Sequence, residues 1–272
     1  MKSSSTSPFL MNELLALAAT HISIQRPSER SIYRHHATQL QNHALASFNN
    51  AQNSEEPEGY MCRFIFSSML GVHMLCDTLH FRDPDFTLFL DSFTHYLRIH
   101  CGVRSVMRNK WQALNETALG PVLRDGELRL QSKTNDGLGP ECSRLLGLVE
   151  RSNLGPSITA TYHTAIESLQ MAFNSVSSTD SPRGYCVGVV SWPATLSSEY
   201  IDLLTRRSPD ALAILAHYAV ILHHHRNLWL FGDGGRYLIQ SISEFLGPGW
   251  AEWVAFPNHA LSEPTTPMSH LT

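Results

Sequence analysis

The chain has 272 residues, 43% of them apolar and 16% charged, with a formal net charge of −4. That length allows one large domain or two small ones and a core built without disulfide staples, and the modest charge excludes a disordered chain. Gripping DNA by its phosphates needs clustered Lys and Arg; the longest basic run here is Arg206-Arg207, so no direct nucleic-acid binding is expected of this chain.

The expected elements run as follows. Pro8 suits a first helical turn, and Phe9, Leu10, Leu14, Leu15, Leu17 and Ala18 would give a helix to about His21 its buried face. Ile32–Asn49 reads as an amphipathic helix with Tyr33, Ala37, Leu40, Ala44 and Phe48 on one stripe. The polar stretch from Asn49 to Gly59 reads as a loop. Met61–Leu79 keeps helical spacing throughout. Asp83 would cap the next helix, with Pro84 as its first residue and Phe86, Phe89, Leu90, Phe93, Leu97 and Ile99 following. Gly102 to Trp111 is a short, partly basic segment.

Leu119 to Pro156 is rich in glycine and proline and reads as irregular around one short helix, Glu141–Arg151. Thr159–Val176 is a helix and Ser177–Arg183 a turn. Tyr185–Val190 is β-branched enough for a lone strand, but with no partner strand a buried extended or helical piece is favoured. Ser198–Arg207 is a short helix. Ser208-Pro209 introduces a long apolar helix, Asp210–Arg226. Gly232-Asp233-Gly234-Gly235 is a flexible corner before Arg236–Leu246, and Trp250 and Trp253 follow at helical spacing. The fold class expected is all-α: a compact body of about nine or ten helices over residues 8–257, between a disordered stub at 1–7 and a disordered tail at 258–272.

Chemistry is sparse. Cys62, Cys76, Cys101, Cys142 and Cys186 form no C-x-x-C pair, so no zinc site is expected, and the cysteines read as reduced and intracellular. The apolar stretch Phe9–Ala19 carries Asn12 and Glu13 and is no signal sequence. Ala211–Leu222 contains His217 and falls short of the ~20 residues of a membrane span. Nucleophile-elbow, phosphate-loop and dinucleotide motifs are all missing. Fifteen histidines invite a metal, yet none are paired at i, i+3 or i, i+4. His223-His224-His225 point about 100° apart on a helix and read as its polar rim. No metal and no cofactor are expected.

The C-terminal third carries a recognisable pattern. Trp192-Pro193-Ala194 is followed by Tyr200-Ile201-Asp202-Leu203-Leu204 and then by Arg207 through Ala219. Trp229, the glycine corner, Leu238-Ile239, Trp250, Trp253 and Pro257 continue it. Pro8 to His21 and Tyr33 to Phe48 fit at the other end. From Pro8 to Pro257 the chain resembles the C-terminal regulatory domain of fungal zinc binuclear cluster transcription factors of the sterol-uptake-regulator type. The resemblance implies a helical domain that binds a lipid, ergosterol in the best-known members, and regulates transcription in the nucleus. The family's six-cysteine cluster and basic linker have no counterpart here, since Met1 lies only seven residues before the first helix. DNA binding is therefore not carried over.

Three readings follow. The first is a lipid- or sterol-responsive regulator without its own zinc cluster, in the nucleus or cytoplasm, acting as a homodimer or paired with a full-length regulator. The second is an enzyme of fungal secondary metabolism, a cofactor-free cyclase or isomerase, with His73, His163, His217 and Tyr218 as its polar groups. The third is a helical scaffold with no ligand. A hydrophobic pocket is expected between the Met61–Leu79 and Asp210–Arg226 helices, walled by Phe66, Met69, His73, His217, Trp229 and Trp250.

Overall fold

Proline sets the start of helix after helix, because its fixed φ suits a first turn whose N–H groups have no partner anyway. The computed structural model describes residues 7–51, 57–107, 111–121, 123–124, 138–177 and 185–262. Among these lie twelve α-helices and no strand: α1 (Pro8–Gln25), α2 (Arg30–Asn50), α3 (Pro57–His80), α4 (Phe86–Met107), α5 (Trp111–Asn115), α6 (Pro140–Arg151), α7 (Pro156–Ser177), α8 (Tyr185–Thr195), α9 (Ser198–Thr205), α10 (Pro209–His224), α11 (Gly234–Leu246) and α12 (Ala255–Ala260). Two 3-10 turns, Pro27–Glu29 and Pro248–Trp250, join them. The fold is all-α.

Contacts divide the chain into two compact units. Met1–Arg129 with Pro193–Thr195 makes the first, and Leu130–Trp192 with Leu196–Thr272 the second.

In the first unit α1 packs along α2 and α3, and α3 packs on α4. Phe9, Ala44 and Phe66 form a buried cluster. Phe48 stacks on Phe66 at 4.6 Å, and Phe9 meets Phe66 edge-on at 5.3 Å. The face that α1 buries is Phe9, Glu13, Ala16, Ala19, Thr20 and Ser23. Of the face expected to be inside, Phe9 is buried and Leu10 packs on that cluster, but Leu14 and Leu15 are 52% and 47% exposed. The reason is the pairing of Glu13 and Thr20 with a histidine of α3, described below, which fixes the rotation of α1.

The cap of α4 is Asp85 rather than Asp83. Its Oδ1 accepts from the Thr87 N–H at 2.7 Å and the Leu88 N–H at 3.3 Å, so Phe86 is the first helical residue. Pro57, Glu58 and Gly59, expected in a loop, begin α3. Gly102 to Met107, expected apart, continue α4.

In the second unit α10 is surrounded, and every residue from Asp210 to His223 is buried. An aromatic group packs beside it: the Trp192 ring stacks on Tyr218 at 4.5 Å, and Tyr200 stands edge-on to Trp192 at 5.9 Å. Each polar end is satisfied, as burial demands. Trp192 Nε1–H donates to the Ala165 carbonyl (2.9 Å), Tyr200 O–H to Ala211 (3.0 Å) and Tyr218 O–H to Val189 (2.8 Å). The stretch 185–190 is helical, not a strand, and α8 includes Pro193. Proline has no N–H to give the Val189 carbonyl four residues back; the Tyr218 hydroxyl occupies that carbonyl instead.

Glycines 234 and 235 are buried starts of α11, not a flexible corner. A Cβ on Gly235 would overlap the His223 backbone N and lie 2.6 Å from the Ala219 carbonyl oxygen. Helix α11 therefore crosses α10 at backbone contact. His223 and His225 are buried and only His224 is exposed, so the expected polar rim is one residue wide. Within the tail expected to be disordered, residues 258–260 belong to α12, and 263–272 lie outside the described residues, as do 1–6 of the stub. So do 52–56 of the polar loop, 125–137 of the glycine-bearing stretch and 178–184 of the turn.

Candidate functional site

Among the described residues, a cavity lies in each unit. The one in the first unit has about 160 Å³ and is lined by Thr20, Thr38, Gln41, His73, Asp77 and their neighbours. Its floor is a buried polar network. His73 on α3 places Nδ1 2.9 Å from Glu13 Oε1 and Nε2 2.7 Å from the Thr20 hydroxyl. Gln41 on α2 reaches the same Nδ1 at 3.1 Å. Glu13 is 0% exposed, and a carboxylate so buried needs a donor. A ring proton on Nδ1 serves Glu13 and leaves Nε2 to accept from Thr20, and in that tautomer the Gln41 amide nitrogen, itself a donor, is a neighbour of Nδ1 and not a hydrogen-bond partner. At the mouth, Arg34 lies 3.7 Å from Asp77 and over the Phe81 ring at 3.9 Å.

The larger cavity, about 380 Å³, lies in the second unit between α6, α10 and the segment Glu252–His259. Leu145, Leu148, Trp253, Ala255, Phe256 and His217 make most of its wall, with Glu141, Arg144, Glu252 and His259 among the remainder. The periodicity of α6 turns Leu145 and Leu148 inward, while Arg144 and Arg151 stay outside and share Glu252 at 3.8 and 3.5 Å. Trp250 packs against Trp253 at 5.0 Å, holding that ring from behind. His217 stacks on Phe256 at 5.6 Å, and its Nδ1 lies 2.9 Å from the Ala213 carbonyl. Burial pushes its pKa down to about 4, so the ring is neutral at pH 7.

The residues singled out in the sequence scatter. His217 lines the larger cavity and His73 the smaller. Phe66 lies in the buried cluster of the first unit, and Met69 is half-buried on the same helix. Trp229 is half-buried in the turn before α11. Trp250 backs Trp253 rather than lining the cavity itself. Of the four side chains offered for catalysis, Tyr218 spends its hydroxyl on a backbone carbonyl, and His163 is half-buried on α7 with Nε2 3.9 Å from Glu150. Leu145, Leu148, Trp253 and Phe256 were not singled out. The i, i+3 pair in α6 and the aromatic pair flanking Ala255 carried that signal in the sequence. Among the described residues, no group of three or more His, Cys, Asp or Glu is placed to hold a metal ion, and no helix is long and apolar enough to cross a membrane.

No family model and no solved structure matches the chain. The chain is similar to a protein of Gibberella zeae named Zn(2)-C6 fungal-type transcription factor, with 23% identity over 265 residues. The match covers 90% of this chain and 51% of that relative, so the chain spans about half its length. Running through both units, this similarity supports a distant relationship to the fungal zinc-cluster transcription factors.

Proposed function

We propose that the chain is the ligand-responsive regulatory domain of a zinc-cluster-type regulator, and that its effector is a hydrophobic small molecule of sterol or lipid type. The observation that carries this is the apolar cavity framed by Leu145, Leu148, Trp253 and Phe256. Its volume lies in the range of small-molecule sites, and its lining is largely hydrophobic. Three separate segments make its wall. A bound molecule would therefore tie α6 to α10 and to the 252–259 segment, favouring whichever arrangement of the three fits it better. Transcriptional output through the nucleus, and self-association or pairing with a full-length regulator, belong to the same proposal.

The test joins binding to output. The purified chain is titrated with a fluorescent sterol while tryptophan emission and Tm are followed. At a hundredfold excess over Kd, binding is expected to stabilise the chain by about 2.7 kcal/mol. Ala255→Leu, which sets a larger side chain into the cavity wall and narrows it, is expected to abolish both signals. Fused to a foreign DNA-binding domain, the chain should drive a reporter that follows sterol supply, and the Ala255→Leu fusion should not. A reporter that tracks sterol equally in both fusions, with no binding by either chain, would sink the proposal.

A further inference from the structure

Of the residues lining the larger cavity, only Leu145, Leu148 and His217 are buried. His217 is thus the one polar group on an apolar floor, while Glu252, Arg144 and His259 stand exposed. The state of its ring follows from its neighbours. The Ala213 carbonyl can only accept, so the contact at Nδ1 fixes the ring proton there and leaves the lone pair on Nε2. Among the described residues Nε2 has no hydrogen-bond partner, yet it is not one of the buried polar atoms shut away from a probe. In a residue 3% exposed that lines a cavity, that accessible nitrogen opens onto the cavity.

A neutral imidazole offering a lone pair from an apolar floor asks for a donor. We propose that His217 Nε2 accepts a hydrogen bond from a hydroxyl of the bound molecule, so that the site selects hydrophobic alcohols over the matching ketones. A ketone of the same shape presents only an acceptor, which sets two lone pairs face to face and leaves both desolvated. The stacking of the ring on Phe256 and its bond to Ala213 hold Nε2 in one direction, so little entropy is lost on binding. This inference rests on reading the cavity as the effector site.

The experiment measures the affinity of the full chain, at pH 7.5, for two isosteric pairs: ergosterol with its 3-ketone, and 2-dodecanol with 2-dodecanone. Whichever pair binds identifies the carbon skeleton, sterol or fatty chain. Within that pair the alcohol is expected to bind about tenfold tighter, the worth of one well-placed hydrogen bond. His217→Phe keeps a ring on Phe256 and loses the acceptor, so the preference should vanish. His217→Gln restores an acceptor and should recover part of it. Circular dichroism checks that both variants fold. The wild-type ratio needs no variant: alcohol and ketone binding with equal affinity overturns this inference and leaves the effector cavity standing. A preference that survives in His217→Phe overturns it too. If neither pair binds the wild-type chain, the effector reading falls and takes this inference with it.

Discussion

Single residues in this protein are held in defined protonation states by what buries them. His217 and His223 each have a pKa lowered to about 4, His217 by burial, His223 by burial and then by Arg226, His224 and Arg236. The unfolded chain titrates these rings near 6.5. Between those two values the unfolded state binds more protons than the folded one, so acid favours unfolding. The contribution of His217 is fully present above about pH 6.5 and is lost as pH falls towards 4, amounting to about 3 kcal/mol at the bottom of that window. Urea unfolding followed at a series of pH values is expected to show stability level above pH 7 and declining below 6.5. His217→Phe should decline less steeply by one proton's worth; an identical slope would refute the buried neutral ring. None of this was legible from His217 in the sequence, where it is one histidine in an apolar run. Glu13 is different. An acid inside Phe9–Ala19 signals a buried partner, but the sequence does not say that the partner is His73, sixty residues away.

At the scale of elements, periodicity located the helices well and oriented some of them badly. Helices α3, α6, α7 and α10 were legible from their apolar spacing, and for α10 the leading Pro209 agreed with it, whereas Pro57, Pro140 and Pro156 were not read as helix starts. Helix α1 was placed, but its buried face was read only in part: Phe9 and Leu10 pack inside, Leu14 and Leu15 do not. Counting leucines weights transfer free energy alone, whereas the Glu13–His73–Thr20 bonds require the polar face inside. The segment 185–195 was ambiguous because a short apolar run suits a strand or a buried helix equally. Gly234 and Gly235 looked like a hinge, since a sequence does not distinguish a glycine chosen for freedom from one chosen for closeness. The two kinds are separable by experiment. Gly235→Ala sets a methyl against the backbone of His223 and Ala219, which cannot swing aside, and is expected to cost about 1–3 kcal/mol. Gly147→Ala, mid-way along α6 with nothing within 4 Å of its Cβ, is expected to gain about 0.5–1 kcal/mol. Urea midpoints of both variants moving the same way would refute the close crossing of α10 and α11.

For the whole molecule, the two units differ in how they spend their polar groups. The first buries a network of Glu13, Thr20 and His73 and leaves Leu14, Leu15 and Ile32 exposed. The second surrounds α10 on all sides and ties its large aromatic side chains to backbone carbonyls. Burying apolar surface stabilises more than exchanging water for internal polar partners, so the second unit should open at the higher free energy. Two cysteines report on this independently. Cys76 lies buried on α3 in the first unit and Cys142 buried on α6 in the second, and burial pushes both thiols up to about 12. Neither presents a thiolate at neutral pH until its unit opens. Cys62 and Cys101 are half-exposed, and these two and Cys186 are replaced by Ser beforehand. Alkylation at rising urea, read by mass spectrometry of the peptides, is expected to modify Cys76 at a lower concentration than Cys142. Simultaneous modification would mean that the two units unfold as one cooperative body, and the reverse order would mean that the buried Glu13–His73 network outweighs the apolar packing around α10.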